Sequence, residues 1–156
     1  MTSPVTEADD ALGEYTFADH TAGLDWGELS ELYRIAPLGD KPPDRLAVVY
    51  GNSMFCCLVR HGQRLVGAGR ALADGLDAAY IADVAVHPDH QGRGLGQAIV
   101  RSLVRQCDGH RKIILYANPG AEPFYKRLGF LPMTTAMAIW QDPRSGVAAG
   151  LLRDDA

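Results

Sequence analysis

The segment that most limits how this chain can fold is a glycine-spaced loop, Gln91-Gly92-Arg93-Gly94-Leu95-Gly96, set between two runs of different periodicity. Before it, Ala78 to Val86 reads as a strand. After it, Leu95, Ile99 and Leu103, with Ala98 and Val100 beside them, form one helical face that ends near Asp108-Gly109. Glycine lacks a Cβ, so the backbone here can turn tightly and bring its N–H groups close to an anion. The first N–H groups of the following helix have no internal acceptor, and the helix dipole favours negative charge there. A pyrophosphate suits such a site, and Arg93 adds a cation close by. Spacing excludes two common phosphate loops. A dinucleotide fingerprint needs glycine where Gln97 stands. A Walker loop needs glycine at Gln97 when counted from Gly92, and again at Arg101 when counted from Gly96. The alternative is a glycine-rich turn without a ligand.

The elements around the loop define a mixed α+β order. Glu14 to Ala18 reads as a first strand. Leu24 to Ala36 has helical spacing, with Asp25 as a candidate cap and Pro37 as its stop. Pro43 opens a second helix that runs to about Tyr50. Met54–Arg60, Leu65–Ala73 and Ala78–Val86 are three strands joined by short turns, which points to an antiparallel meander. Lys112 to Ala117 reads as a buried strand, Ala121 to Leu128 as a short helix stopped by Gly129, and Phe130 to Gln141 as extended chain.

At 156 residues the chain suits one domain, expected over 14–141, with flexible tails at 1–13 and 142–156. The net charge of −4 and the lack of a dense Lys/Arg run count against nucleic acid as the main partner. No run reaches the roughly 18 apolar residues of a membrane span. The N-terminus has neither the basic start nor the apolar stretch of a signal peptide. A cytoplasmic location, with no membrane partner, is the expectation. Cys56, Cys57 and Cys107 are odd in number and lack a C-x-x-C pair, so they read as core thiols with no disulfide framework and no metal site.

Val86-His87-Pro88-Asp89-His90-Gln91-Gly92-Arg93-Gly94-Leu95-Gly96 resembles the acetyl-CoA loop of the GNAT superfamily of N-acetyltransferases, written Q/R-x-x-G-x-G/A. Asn118-Pro119-Gly120-Ala121-Glu122-Pro123-Phe124-Tyr125-Lys126-Arg127-Leu128-Gly129-Phe130 resembles a second segment of that family. The resemblance implies a twisted, mostly antiparallel mixed sheet of six or seven strands, flanked by about four helices and splayed after the third meander strand. Acetyl-CoA would lie in the split as co-substrate, without a metal. Its pantetheine would pair with Val84 and Val86, and its pyrophosphate would take the amides from Gln91 to Gly96. Gln97, Asn118, Ala121, Phe124 and Tyr125 complete the implied donor site. Two subgroups are similar. Lys112-Ile113-Ile114-Leu115 through Tyr125 to Phe130 matches glucosamine-6-phosphate N-acetyltransferase, but Ala82-Asp83 keeps only the Asp of that family's Glu-Asp pair. Gly67-Ala68-Gly69-Arg70-Ala71-Leu72-Ala73-Asp74, followed by Asp83-Val84, resembles plastid-type serotonin/lysine N-acetyltransferases and is favoured.

Acetyl transfer to an amine requires three things: removal of the amine's proton, stabilisation of the thioester oxygen, and protonation of the departing thiolate. An alkylamine with a pKa of about 10.4 arrives charged. Asp83 is the candidate base, acting through water because a carboxylate is a poor direct match to such an amine. A strand-end Asp that orders a turn or pairs with an Arg is the alternative. Tyr125 is the candidate acid, since a phenol keeps its proton at neutral pH. A backbone N–H near Val84 or Ala85 is the oxyanion donor. Tyr80 lies on the opposite strand face from Asp83 unless a bulge intervenes, and with Tyr33 it is a candidate for lining the acceptor pocket. Trp26, Tyr33, Tyr50 and Phe55 could form an aromatic acceptor pocket, with core packing the favoured reading; Arg70 and Asp74 could hold an acceptor, the alternative being a solvated strand end with a turn Asp. His87 and His90 read as exposed or turn residues. The favoured reaction is direct transfer to a small arylalkylamine-like acceptor. A protein lysine, an amino sugar and a non-catalytic CoA-binding module are the alternatives, and a homodimer fits the family's habit.

Overall fold

Asp25 fixes where the first helix begins. In the computed structural model, which describes residues 12–155, its carboxylate accepts from the N–H groups of Gly27 and Glu28. Helix α1 (Trp26–Ile35) follows, and its next N–H donors are then bonded internally. Pro43 supplies the preset φ of a first helical position for α2 (Pro43–Gly51). Leu29, Leu32 and Tyr33 of α1 and Leu46 and Tyr50 of α2 are buried together against the sheet.

The sheet runs β1 (Tyr15–Ala18), β2 (Phe55–His61), β3 (Arg64–Ala73), β4 (Ala78–Val86) and β5 (Lys112–Ile114), neighbours in that order. The first three pairings are antiparallel and the last is parallel. Gly62 at φ 59 and Gly75 at φ 86 supply the left-handed turns between the meander strands. Asp74 accepts from the N–H groups of Leu76, Asp77 and Ala78, so it orders the turn between β3 and β4.

Helix α3 (Leu95–Gln106) packs on β2, β3 and β4 through buried Leu95, Ile99, Val100 and Leu103. Each such side chain contributes about 1.5–3 kcal/mol of burial. Gly67 and Gly69 make the close approach possible. A Cβ at Gly69 would stand 2.9 Å from Ile99 Cγ2 and 3.0 Å from Leu103 Cδ1. The sheet is therefore covered on one face by α1 and α2 and on the other by α3. Cys56, Cys57 and Cys107 are buried thiols in this packing.

The chain divides into two compact units, one ending at Leu115 and one beginning at Tyr116. The second contains α4 (Glu122–Arg127) and α5 (Pro143–Ala148). Three expectations change. The described residues form five strands rather than six or seven, because Phe130–Gln141 joins no ladder and Lys112–Ala117 stops pairing at Ile114. The described residues also form five α-helices rather than about four. A helix also occupies part of the segment read as a C-terminal tail. The N-terminal tail falls, up to residue 11, outside the described residues. No described helix is long and apolar enough to cross a membrane.

Candidate active site

β5 accompanies β4 only from Ala78 to Tyr80. β4 continues to Val86, so from Ile81 onward its outer edge has no neighbouring strand among the described residues. The sheet thus has an open edge where the resemblance implied a splay. At the end of that edge, the His87 N–H donates to the Val66 carbonyl at 2.8 Å, and Pro88–His90 makes one 3-10 turn. Gly92 (φ 75) and Gly94 (φ 87) are both left-handed, and Gly94 is the N-cap of α3. Nothing lies within 4 Å of a Cβ built on either one. The first helical bond runs from Ala98 N–H to the Gly94 carbonyl, so the amides of Leu95, Gly96 and Gln97 have no intrahelical acceptor. Bare glycine surface and unpaired donors fit a pyrophosphate.

Histidines brace this loop from below. His90 is buried, with Nδ1 2.8 Å from Tyr15 Oη and ring centroids at 5.1 Å from His61 and 5.9 Å from His87. Burial, then the neighbouring His61 and Arg93, holds its pKa below the ordinary imidazole value. His87 is also buried and accepts from Arg64 Nη2 at 2.7 Å. Both were expected to be exposed or simple turn residues, and their long-range partners lie on β1, β2 and β3. Arg93 Nη1 donates to Glu14 Oε1 and Tyr15 Oη at 3.3 Å each, tying the loop to β1. The Gln91 side chain turns back to the Val86 carbonyl at 3.1 Å.

Asp83 sits in a bulge. Ala68 pairs with Ala85 and Arg70 with Ala82, so Asp83 and Val84 together oppose Gly69. Asp83 has φ 56, the left-handed conformation that costs most side chains about 1–2 kcal/mol and that Asp tolerates better than most. The extra residue changes the facing rule. Arg70 and Leu72 share one face of β3, their partners Ala82 and Tyr80 share it on β4, and Asp83 bonds to Arg70 on that side. Tyr80 and Asp83 therefore share a face although they are three residues apart. Asp83 Oδ2 accepts from Arg70 Nε at 2.8 Å, and Oδ1 lies 3.5 Å from Lys41 Nζ. Arg70 Nη1 also donates to Ser53 Oγ at 3.2 Å. Both Asp83 oxygens face cations, which was the alternative open at the outset.

Tyr33 is 0% exposed, so it lines no open acceptor surface. Its hydroxyl donates to the Asp83 carbonyl at 2.8 Å, and Tyr50 donates to Tyr33 at 2.5 Å. Lys41, Ser53 and the hydrogen bond between Tyr33 and Tyr50 escaped sequence reading, because only the fold brings these groups beside β4.

The remaining expected donor-site residues lie in the second unit. Asn118, Ala121, Phe124 and Tyr125 come together on one turn and α4. The Ala121 N–H donates to the Asn118 carbonyl at 2.9 Å, and Gly120 at φ 90 makes the turn. Tyr125 is half-buried, packed edge-on against Phe124 at 5.0 Å and Phe130 at 5.9 Å. Burial pushes its phenol pKa up. Among the described residues, no group of three or more His, Cys, Asp or Glu is arranged to hold a metal ion.

The chain matches the Acetyltransferase (GNAT) family over residues 23–130. It is 32% identical over 136 residues to a ycf52-like N-acetyltransferase of Prochlorococcus marinus, covering 81% of this chain and 76% of that one. It is 34% identical over 116 residues to serotonin N-acetyltransferase 2, chloroplastic, of rice (Oryza sativa), covering 70% of this chain and 58% of the relative. The chain thus spans little more than half of that plastid protein. A crystal structure of an acetyltransferase from Deinococcus radiodurans shares the fold, with a TM-score of 0.74, 24% identity and coverage of 83% and 90%.

Proposed function

Because the chain belongs to the GNAT family of acetyltransferases, we propose that it moves the acetyl group of acetyl-CoA directly onto a primary amine in a ternary complex. The observation that carries this reading is the pair of left-handed glycines, Gly92 and Gly94, capping α3 at the end of the unpaired edge of β4. Acetyl-CoA supplies an activated acetyl thioester, and GNAT acetyltransferases use it as co-substrate. The amides of Gln91 to Gly96, with Gln97, hold the pyrophosphate. Backbone groups of Val84 and Val86 pair with the pantetheine. The Val84 or Ala85 N–H takes the charge that grows on the carbonyl oxygen. Tyr125, its phenol kept protonated by burial, gives a proton to the departing thiolate. Asn118, Ala121 and Phe124 support that end of the donor.

Asp83 is held by Arg70 and Lys41, which favours an indirect role. In this reading it orders the water that accepts the amine's proton. The name of the rice relative and the position of Tyr80 on the Asp83 face support an arylalkylamine acceptor. Thiol release from acetyl-CoA is the test, screened across arylalkylamines, polyamines, amino sugars, amino acids and lysine peptides. Preference for arylalkylamines is expected. Turnover confined to lysine peptides or amino sugars would replace the acceptor class. Binding of acetyl-CoA with no release for any amine would reduce the protein to a CoA-binding module.

A further inference from the structure

Burying a hydroxyl is costly unless it is hydrogen-bonded. Tyr33 and Tyr50 bury two, 0% and 4% exposed, and bond them in series to a single backbone atom, the Asp83 carbonyl. A carbonyl can only accept, so the Tyr33 proton goes to Asp83 and the Tyr50 proton goes to Tyr33. Burial first, and the neighbouring Tyr50 second, drive the Tyr33 pKa well up, so both groups stay donors.

The geometry points to Tyr33, backed by Tyr50, as a positioning residue that orients the Val84 N–H for the acetyl carbonyl. The peptide between Asp83 and Val84 is planar and trans, so its carbonyl and its N–H point in opposite directions and turn together. Tyr33 fixes one pole and thereby fixes the other. The ladder does not do this alone. Its register is set at Ala82 opposite Arg70 and at Ala85 opposite Ala68, and the bulge lies between those two pairs. Arg70 and Lys41 hold the Asp83 side chain, while Tyr33 holds its backbone. A phenylalanine ring would fill the same space under the sheet without that hold. This inference rests on the proposed acetyl transfer and on Val84 as a donor to the thioester oxygen. It replaces the pocket-lining role expected of Tyr33.

Tyr33→Phe in the full chain removes one oxygen and keeps the ring. The expected result is a fall in kcat of ~10-fold or more with acetyl-CoA affinity held within about twofold, because small misplacements at the reacting centre are costly to the chemical step. Tyr50→Phe leaves the bond to Asp83 but strips its backing, and a smaller fall is expected. The Val84 amide resonance, followed by nitrogen–proton correlation NMR, should move in both variants. A lowered melting temperature with kcat and the Val84 amide unchanged would make the pair purely structural and overturn the inference. Should Tyr33→Phe fail to fold, unchanged kcat and an unmoved Val84 amide in Tyr50→Phe would overturn it instead. Absence of thiol release by the wild type would refute the proposed reaction separately, and the Val84 amide would still decide the positioning.

Discussion

Asp83→Gly and Asp83→Ala together separate two effects that meet at one residue. Both remove the carboxylate that pairs with Arg70 Nε at 2.8 Å and Lys41 Nζ at 3.5 Å. The Arg70 side chain is only 14% exposed, so losing a charge-assisted bond there costs about 2 kcal/mol. That loss is common to the two variants, which differ in how they tolerate φ 56 and in the freedom of their unfolded chains. Alanine in the left-handed region costs about 1–2 kcal/mol and glycine almost nothing. Glycine's freer unfolded chain returns about 0.4–1 kcal/mol to alanine. Asp83→Gly should therefore be the more stable of the two by about 1 kcal/mol, which is roughly 2–4 °C in Tm at this chain length. Urea unfolding followed by circular dichroism, at a shared m value, measures the difference. Equal stability, or alanine above glycine, would mean that the strand is regular at Asp83 and that no bulge brings Tyr80 and Asp83 to one face.

Gly69→Ala places a Cβ 2.9 Å from Ile99 Cγ2 and should destabilise by about 1–3 kcal/mol; unchanged stability would contradict the close seating of α3 on β3. Tyr125→Phe should lower kcat by roughly 10²-fold or more while calorimetric acetyl-CoA affinity holds. Because burial raises the Tyr125 pKa, the phenol stays protonated up to its raised value, so no acid is lost as pH rises through neutrality. The wild-type rate should climb with pH as the amine loses its proton, with no falling limb below about pH 10. A falling limb centred near pH 8 would remove Tyr125 from the proton transfer.

Local signals in the chain were strong where one residue type does one job. The Asp25 cap, the Pro43 start, the β4 bounds and the glycines of the loop all read directly, because capping, fixed φ and missing Cβ atoms act over a few residues. Register and long-range bonding were not legible. The bulge at Asp83 depends on Gly69 opposite and Tyr33 beneath, fourteen and fifty residues away along the chain, respectively. His90 read as a surface turn residue, because nothing in its neighbours announces Tyr15 as a partner. Phe130–Gln141 has an extended pattern, with apolar Leu131, Met133, Met137 and Ile139 on alternate positions, yet all four are exposed and none is in a ladder. A strand needs a neighbour as well as a pattern, and only the pattern can be read from local sequence.

Isothermal calorimetry of acetyl-CoA with the wild type and with Gly94→Val tests the donor site most directly. Gly94 holds φ 87 at the N-cap of α3, and a Cβ there meets no atom of the chain within 4 Å. The valine side chain would project into open space beside the free amides, with melting temperature as the control for folding. Saturable wild-type binding with affinity lost by ~10-fold or more in the variant is the expected result. Wild-type affinity in a folded Gly94→Val protein would show that the loop from Gln91 to Gly96 does not hold the pyrophosphate.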